Sequence, residues 1–353
     1  MDLKKVINHF IPGKPILDIQ PFGKGHINST YKVSFVDDKQ EYILQKINSD
    51  VFHFPDQIVQ NHIKLQRFFN KKQCEIEIPY LISTKEKKYL FFDQNGDAWR
   101  MMNFIQNAYS AEVINDEVQA FESGKAFGGF LKALSNANPV EFNEAIKGFH
   151  SLSYRIKQFK DSVDKNNAGR LNKAKGIVQF YMNKSGQLLE IEELITTNKI
   201  PTRIVHNDTK LNNLLFRENK AVAVIDLDTV GPGSVLYDYG DALRTIGNTC
   251  TEDERNPNKV DFNLDFFQSF TKGYLEQTGY LLNTEEKAFL HIAPIYMTFI
   301  IGIRFLTDYL NGDIYFKTIY EEHNLGRSKV QMKLIEQMEL HLEWMKEIIK
   351  NNL

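Results

Sequence analysis

The sequence predicts an α+β protein of two lobes, a small β-rich lobe over residues 1–105 and a larger α-helical lobe over residues 106–353. Three observations predict it. In the first hundred residues, segments rich in aromatic and β-branched side chains alternate with turn-formers. Beyond residue 105 the apolar residues recur at helical spacing. One short β-like island, residues 204–228, interrupts the helical part. A length of 353 residues suits two domains or one bilobal unit, at about 100–200 residues per domain.

Taken in order, residues 31–36, 41–47 and 89–92 read as strands, with Asp37-Asp38 and Asn95-Gly96 as turns between them. A helix over residues 55–70 is predicted by Ile58, His62, Leu65 and Phe69 at helical spacing. Residues 98–105 read as the last strand of the small lobe, followed by polar Gln106-Asn107. In the large lobe, residues 116–134 carry a helical stripe of Val118, Phe121, Phe127, Phe130, Leu131 and Leu134. Gly124 and Gly128 lie four apart on that helix, which allows another backbone to approach closely. Residues 328–349 form a C-terminal helical stripe through Val330, Leu334, Met338, Leu342, Met345 and Ile349.

Composition excludes several classes. Apolar residues at 42% and charged residues at 25% are those of a folded globular chain rather than a disordered one. The 43 basic residues are balanced by 45 acidic ones, which argues against a broad nucleic-acid-binding surface. Cys74 and Cys250 form neither a CxxC pair nor a zinc spacing and read as reduced structural thiols. The first residues lack the apolar core of a signal peptide. The apolar run 292–303 is too short to span a bilayer and ends at Arg304. The expectation is a soluble cytoplasmic protein with no membrane or nucleic-acid partner.

The island reads RIVHNDTKLNNLLFRENKAVAVIDLDTVGPG. Residues 213–216 and 221–226 form two short apolar strands with a polar stretch between them, which predicts a hairpin. A turn centred on Asn219-Lys220 would set Asn213 opposite Asp226, with Cα atoms roughly 4.5–5.5 Å apart. An amide oxygen and a carboxylate would then converge at the open end, both hard ligands suited to Mg²⁺. Asp228 would share the face of Asp226 if the chain stays extended. Asp208, five residues before Asn213, is tethered near the same end, where a carboxylate can accept a proton from an attacking hydroxyl. HxDxxxxN, followed by an Asp eighteen residues after the first, matches the kinase catalytic loop and metal-binding Asp. The expected architecture is therefore a protein-kinase-like bilobal fold. His206 is expected to support the loop backbone. Lys210 either reaches the transferred phosphoryl group as a point charge or is solvated.

These residues resemble the aminoglycoside phosphotransferase and choline kinase-like superfamily, and within it the N-acetylhexosamine 1-kinases. The resemblance is carried by PFGKGHINSTY, YILQKIN, HNDTKLNN, VIDLDTVGPG, YDYGDALR, RFLTDYLNGDIYF and HNLGRSKVQ, spread over residues 21–331. It implies ATP and Mg²⁺ as cofactors and phosphoryl transfer to the anomeric hydroxyl of GlcNAc or GalNAc, a small-molecule sugar substrate. It implies Asp208 as the catalytic base and Asn213 and Asp226 as the Mg²⁺ ligands. Asp228 would be either a second metal contact or a residue of the sugar site. Residues 1–105 would bind nucleotide, and residues 106–353 would carry catalysis and the acceptor.

On the nucleotide side, Gly23 and Gly25 resemble the start of a glycine-rich phosphate loop, with Asn28 where a third glycine would stand. His26 at the loop tip either contacts ligand or is solvated. A protein kinase draws a lysine from its third strand. Alignment of the apolar residues puts Gln45 at that position and Lys46 on the opposite face. Lys46 is assigned the phosphate contact, because an amide supplies no charge, and Gln45 is its rival. Adenine is expected to bond backbone groups around Asn103, within residues 102–105. On the acceptor side, Arg304 either forms a buried ion pair with Asp308 at i, i+4 or offers its fork to sugar hydroxyls or phosphate. Asp241 and Arg244 share that ambiguity, and Tyr237-Asp238 is expected to anchor the loop after Asp226.

Overall fold

The structure is a computed structural model that describes residues 2–23, 27–70 and 75–353. A helix without a counterpart in the sequence reading, α1 (Leu3–Phe10), begins the chain, capped by the Asp2 carboxylate. Five strands follow around one helix: β1 (Ile16–Pro21), β2 (Ser29–Phe35), β3 (Tyr42–Ile47), α2 (Pro55–Phe69), β4 (Leu81–Ile82) and β5 (Phe91–Phe92). With β6 (Ala98–Asn103) they make an antiparallel sheet in the order β1-β2-β3-β6-β4, with β5 also pairing with β6.

The two faces of that sheet have different partners. Leu44, Trp99 and Met101 pack with Val6, Ile7 and Phe10 of α1 on the outer face. Ile47, Ala98 and Met102 pack with Ile58 and Val59 of α2 on the inner face. Strand alternation therefore places Lys46 on the α1 side and Gln45 on the α2 side. Helix α2 serves both lobes, because its Leu65 and Phe69, with Ile76 and Ile78, enter the core of the large lobe.

The large lobe continues through β7 (Tyr109–Ser110) and the helices α3 (Glu117–Ala133), α4 (Leu152–Lys165), α5 (Leu171–Lys184) and α6 (Leu189–Thr196). The island follows as β8 (Arg203–Val205), β9 (Leu214–Arg217), β10 (Lys220–Val224) and β11 (Gly231–Gly233). Strands β7, β9 and β10 form one small sheet, and β8 pairs with β11 in another. The helices α7 (Val235–Ile246), α8 (Leu264–Thr278), α9 (Thr284–Phe289), α10 (Ala293–Asn311), α11 (His323–Leu340) and α12 (Leu342–Asn352) complete the chain.

The glycine spacing on α3 has a direct structural use. A Cβ at Gly124 would lie 2.0 Å from the Phe270 carbonyl oxygen, and one at Gly128 would lie 2.8 Å from that of Tyr274. Only glycine lets α3 sit this closely on α8. The apolar run expected to end at Arg304 is the interior of α10, buried along nearly its whole length. No helix among the described residues is long and apolar enough to cross a membrane. The expected C-terminal helix is broken at His341 into α11 and α12.

Candidate active site

The hairpin forms, with a register one residue away from the expected one. Arg217 pairs with Lys220, so the two-residue turn is Glu218-Asn219, and a bulge follows between Ala221 and Ala223. The Asn213 carbonyl accepts from Ile225 N–H at 2.9 Å, which makes Ile225 rather than Asp226 its partner. Asp226 lies just past the strand in the left-handed region, at φ +59°. Asp is among the few non-glycine residues that tolerate this conformation. The turn sends the chain into a short 3₁₀ segment, Leu227–Thr229, instead of leaving it extended. Asp228 therefore does not continue an extended strand after Asp226, though its charge still acts on that carboxyl.

The loop before the hairpin is fixed by its own side chains. Asp238 in α7 accepts the backbone N–H groups of His206 and Asn207, each at 2.7 Å. It thus anchors the loop that precedes Asp208, not the loop after Asp226. The buried His206 ring accepts from Asp208 N–H through Nδ1 at 3.2 Å and bonds the Ile225 carbonyl through Nε2 at 2.9 Å. All its polar contacts are to backbone. Gly233 is needed where β11 crosses this loop, because a Cβ there would meet Val205 Cγ2 at 2.5 Å and Asn207 Oδ1 at 2.6 Å.

Three polar side chains converge at the open end. Asn213 donates through Nδ2 to the Asp208 carboxylate at 2.9 Å and to the Asp208 carbonyl at 2.8 Å. Lys210 Nζ lies 3.2 Å from the same carboxylate. Burial alone would raise the Asp208 carboxyl. Lys210 and His206, with the hydrogen bonds from Lys210 and Asn213, outweigh it and hold the group below the usual carboxylate range. Asp226 goes the other way. Desolvation first, then the negative charges of Asp228 and Asp208, push it up to about 7. A carboxylate crowded by like charges and open to the cleft suits a cation. Asn213 turns its amide nitrogen to Asp208, which leaves its oxygen for a metal. Among the described residues no three His, Cys, Asp or Glu side chains cluster as a metal site. The Asn213 amide oxygen and the Asp226 carboxylate are hard oxygen ligands, of a kind that fits an ion such as Mg²⁺, which takes one or two protein ligands.

From the small lobe, Asn28, Gln45 and Arg100 meet the large lobe at Asp228. Asn28 Nδ2 donates to Asp228 Oδ2 at 2.7 Å, and Arg100 Nη2 lies 2.5 Å from Asp228 Oδ1. Gln45 Oε1 accepts from Arg100 Nε at 2.9 Å, while its own Nε2 donates to Thr30 Oγ1 at 3.0 Å. Asp228 Oδ2 is thus hydrogen-bonded to the small lobe and Oδ1 is ion-paired with Arg100, and the residue is 3% exposed. Asp228, expected as a second metal contact or a sugar-site residue, is paired here with Asn28 and Arg100. The expectation at Lys46 is corrected. Its ammonium pairs with Asp97 at 2.6 Å on the α1 side of the sheet, because strand alternation turns it away from the cleft. Asn103 uses its side-chain oxygen to accept from Tyr80 N–H at 2.5 Å and is an anchor for the segment before β4. Gly23 is in the left-handed region at φ +79°, as a turn glycine is. Gly25 and His26, like Cys74, lie outside the described residues.

Around His150, which lies within electrostatic reach of Asp208, is a pair of arginines, Arg155 and Arg304. His150 bonds the Asn207 carbonyl through Nε2 at 2.8 Å, and its ring packs on Phe149 with centroids 4.4 Å apart. The Arg304 guanidinium lies 4.8 Å from the Phe149 ring centroid, 5.7 Å from that of Tyr315 and 5.5 Å from that of Phe316. The Asp308 ion pair does not form. Asp308 instead accepts the backbone N–H groups of Ile314, Tyr315 and Phe316 and the Asn324 amide. It thereby shapes the loop whose rings hold Arg304. Neighbouring Arg155 donates to the Phe149 carbonyl and to Gln158. Burial, and then the Arg304 charge, bring it down to about 10. Neither arginine has a carboxylate partner among the described residues. Arg244, by contrast, is buried on Asp241 and Glu252, so that pair is structural.

Residues 18–265 match the family model described as the phosphotransferase enzyme family. The chain belongs to that family. Solved structures across nearly the whole chain share the fold. A spectinomycin phosphotransferase, solved with ADP and spectinomycin, is 14% identical over 97% of both chains, with a TM-score of 0.63. A microcompartment-associated aminopropanol kinase is 14% identical over 98% of both chains, with a TM-score of 0.61. Choline kinase from Cryptosporidium parvum Iowa II is 17% identical over 99% of both chains, with a TM-score of 0.56. The protein-kinase-like fold expected from the sequence is the observed one.

Within this phosphotransferase, sequence reasoning missed Arg100, His150 and the true role of Asp238. Arg100 had a signal: a lone arginine in the apolar strand AWRMMN. A charge in a strand buried on both faces needs a partner. His150 gave none, because its partner is a backbone carbonyl 57 residues away.

Proposed function

We propose that this phosphotransferase transfers the γ-phosphoryl group of ATP to the anomeric hydroxyl of an N-acetylhexosamine, GlcNAc or GalNAc. Asp208 orients the acceptor hydroxyl and takes its proton, a role suited to a carboxylate held ionised beside Lys210. Asn213 and Asp226 hold Mg²⁺, which supplies charge neutralisation at the β- and γ-phosphates. Asn213 also fixes the Asp208 carboxylate, so base and metal site share one positioning residue. Catalysis is mostly positioning and electrostatics, as expected for phosphoryl transfer.

The observation that carries the acceptor class is the Arg304–Arg155 pair around His150, whose ring bonds the Asn207 carbonyl next to Asp208. Two cations without carboxylate partners repel an aminoglycoside, an amino alcohol or choline and suit neutral hydroxyls and an amide carbonyl. The sugar itself rests on the motif resemblance. The test is a panel of sugars, amino alcohols and aminoglycosides with ATP and Mg²⁺, with phosphorus NMR of the product. A sugar 1-phosphate from GlcNAc or GalNAc is expected, and Arg304→Met should raise the sugar KM about tenfold. Transfer to amines alone would overturn the reading.

A further inference from the structure

We infer that Arg100 is the small lobe's phosphate-binding cation, splinted by Gln45, and that it takes the place of the strand lysine this sequence lacks. The inference rests on nucleotide binding by this family and is independent of the acceptor. Gln45 occupies the inner-face position of β3 and carries no charge. Lys46 is committed to Asp97 on the other face. The neighbouring strand supplies the cation instead, since Arg100 is the direct cross-strand partner of Gln45.

The guanidinium is 3% exposed and only partly satisfied. Nε and Nη2 donate to Gln45 Oε1, and Nη2 also forms an ion pair with Asp228 Oδ1. The two Nη1 hydrogens have no acceptor among the described residues. A guanidinium fixed on two sides with donors still open can take another acceptor. A phosphate oxygen beside Asp226 fits it in charge and in fork geometry. The Arg100 charge also acts on the Asp226 carboxyl, which places it within electrostatic reach of the metal site. Gln45 is a positioning residue. Its amide is oriented by the Thr30 hydroxyl at one end and holds the arginine at the other. Asp228 is the counter-ion that keeps Arg100 in place.

The competing role is a purely structural bridge between the lobes. The two are separated by measuring ADP and adenosine binding calorimetrically, on the full chain with Mg²⁺. Arg100→Gln is expected to weaken ADP at least tenfold and leave adenosine within twofold. Asp228→Asn, which removes the bridge and keeps the cation, should weaken ADP less than Arg100→Gln does. Equal loss of ADP and adenosine affinity, unchanged ADP affinity in Arg100→Gln, or an Asp228→Asn loss as large as that of Arg100→Gln would overturn the inference. If circular dichroism shows that Arg100→Gln is unfolded, Arg100→Lys replaces it. That variant keeps the charge and loses the fork, so a several-fold selective loss of ADP is expected and wild-type ADP affinity overturns the inference. Failure of the wild-type chain to bind ADP would overturn the nucleotide reading itself, a different outcome from an Arg100 variant that binds ADP normally.

Discussion

The two lobes build their halves of the site by opposite means. The large lobe uses one contiguous stretch, in which Asp208, Asn213 and Asp226 are brought together by a four-residue strand, a tight turn and a returning strand. The small lobe uses Asn28, Gln45 and Arg100, which lie on three separate segments and meet at Asp228. The first half is local in sequence, and its loop is held in addition by Asp238 of α7. The second exists only when β3 and β6 are paired and the lobes are docked. Chemistry that cannot tolerate displacement sits on the local half. In the proposed mechanism, the contacts made with nucleotide fall to the half assembled at a distance.

The largest expected effects are therefore on turnover and come from the local half. Asp208→Asn should lower kcat about 10³-fold, within the range for loss of a positioned general base, with an unchanged far-UV circular dichroism spectrum. A wild-type kcat would remove Asp208 from the mechanism. Asp226→Ala should raise the Mg²⁺ needed for half-maximal rate at least tenfold, roughly 1.4 kcal/mol in metal affinity. An unchanged Mg²⁺ titration would separate Asp226 from the metal and break the claim that base and metal site form one local unit.

This division also explains what could be read in advance. The spacing of Asp208, Asn213 and Asp226 reports geometry because the intervening residues form their own hairpin. Even there a bulge between Ala221 and Ala223 and the turn at Glu218-Asn219 displaced the register by one residue. The left-handed turn at Asp226 then ended the extended strand before Asp228. Strand alternation correctly put Gln45 and Lys46 on different faces, but it could not say which face meets the cleft. That depends on α1, whose Val6, Ile7 and Phe10 claim the Lys46 side. The Arg304–Asp308 spacing permitted an ion pair, and the loop at Ile314–Phe316 took the carboxylate first. For Lys46 the decisive partner is far away in sequence, whereas for Asp226 and Asp308 it is the local course of the backbone.

A stability measurement tests the interface beneath the distant half. His62 in α2 is buried, bonds the Pro79 carbonyl through Nε2, and has no partner for Nδ1 among the described residues. Desolvation, and then the Arg100 charge, lower it to about 4. The unfolded chain takes up a proton near pH 6.5, which the folded one refuses until about pH 4. The contribution of His62 is thus fully present above pH 6.5 and is lost as pH falls through that window. At pH 5 the loss amounts to about 2 kcal/mol. His150, lowered by burial to about 3, acts in the same direction. His62→Gln keeps a donor for Pro79 and should flatten the urea-unfolding profile between pH 7.5 and 5 by about 2 kcal/mol. An unaltered slope would mean that this histidine is hydrated in the folded protein.

The smallest expected effect is the most pointed test of the division between the lobes. Asn28 donates to Asp228 at 2.7 Å and accepts the Asn48 N–H at 2.9 Å. A hydrogen bond to a carboxylate contributes roughly 1.5–3 kcal/mol, part of which is recovered by water at this half-buried position. Asn28→Ala should therefore raise the KM for ATP about fivefold to tenfold and leave kcat within about twofold. Asn28→Asp sets a second carboxylate against Asp228 and should raise KM further, with kcat again held. The split between the two constants decides the matter. An interaction made equally in the bound and transition states moves KM, whereas one made only in the transition state moves kcat. If kcat falls while KM stays, the small lobe takes part in the chemical step, and the assignment of turnover to the hairpin and of nucleotide retention to the sheet is wrong.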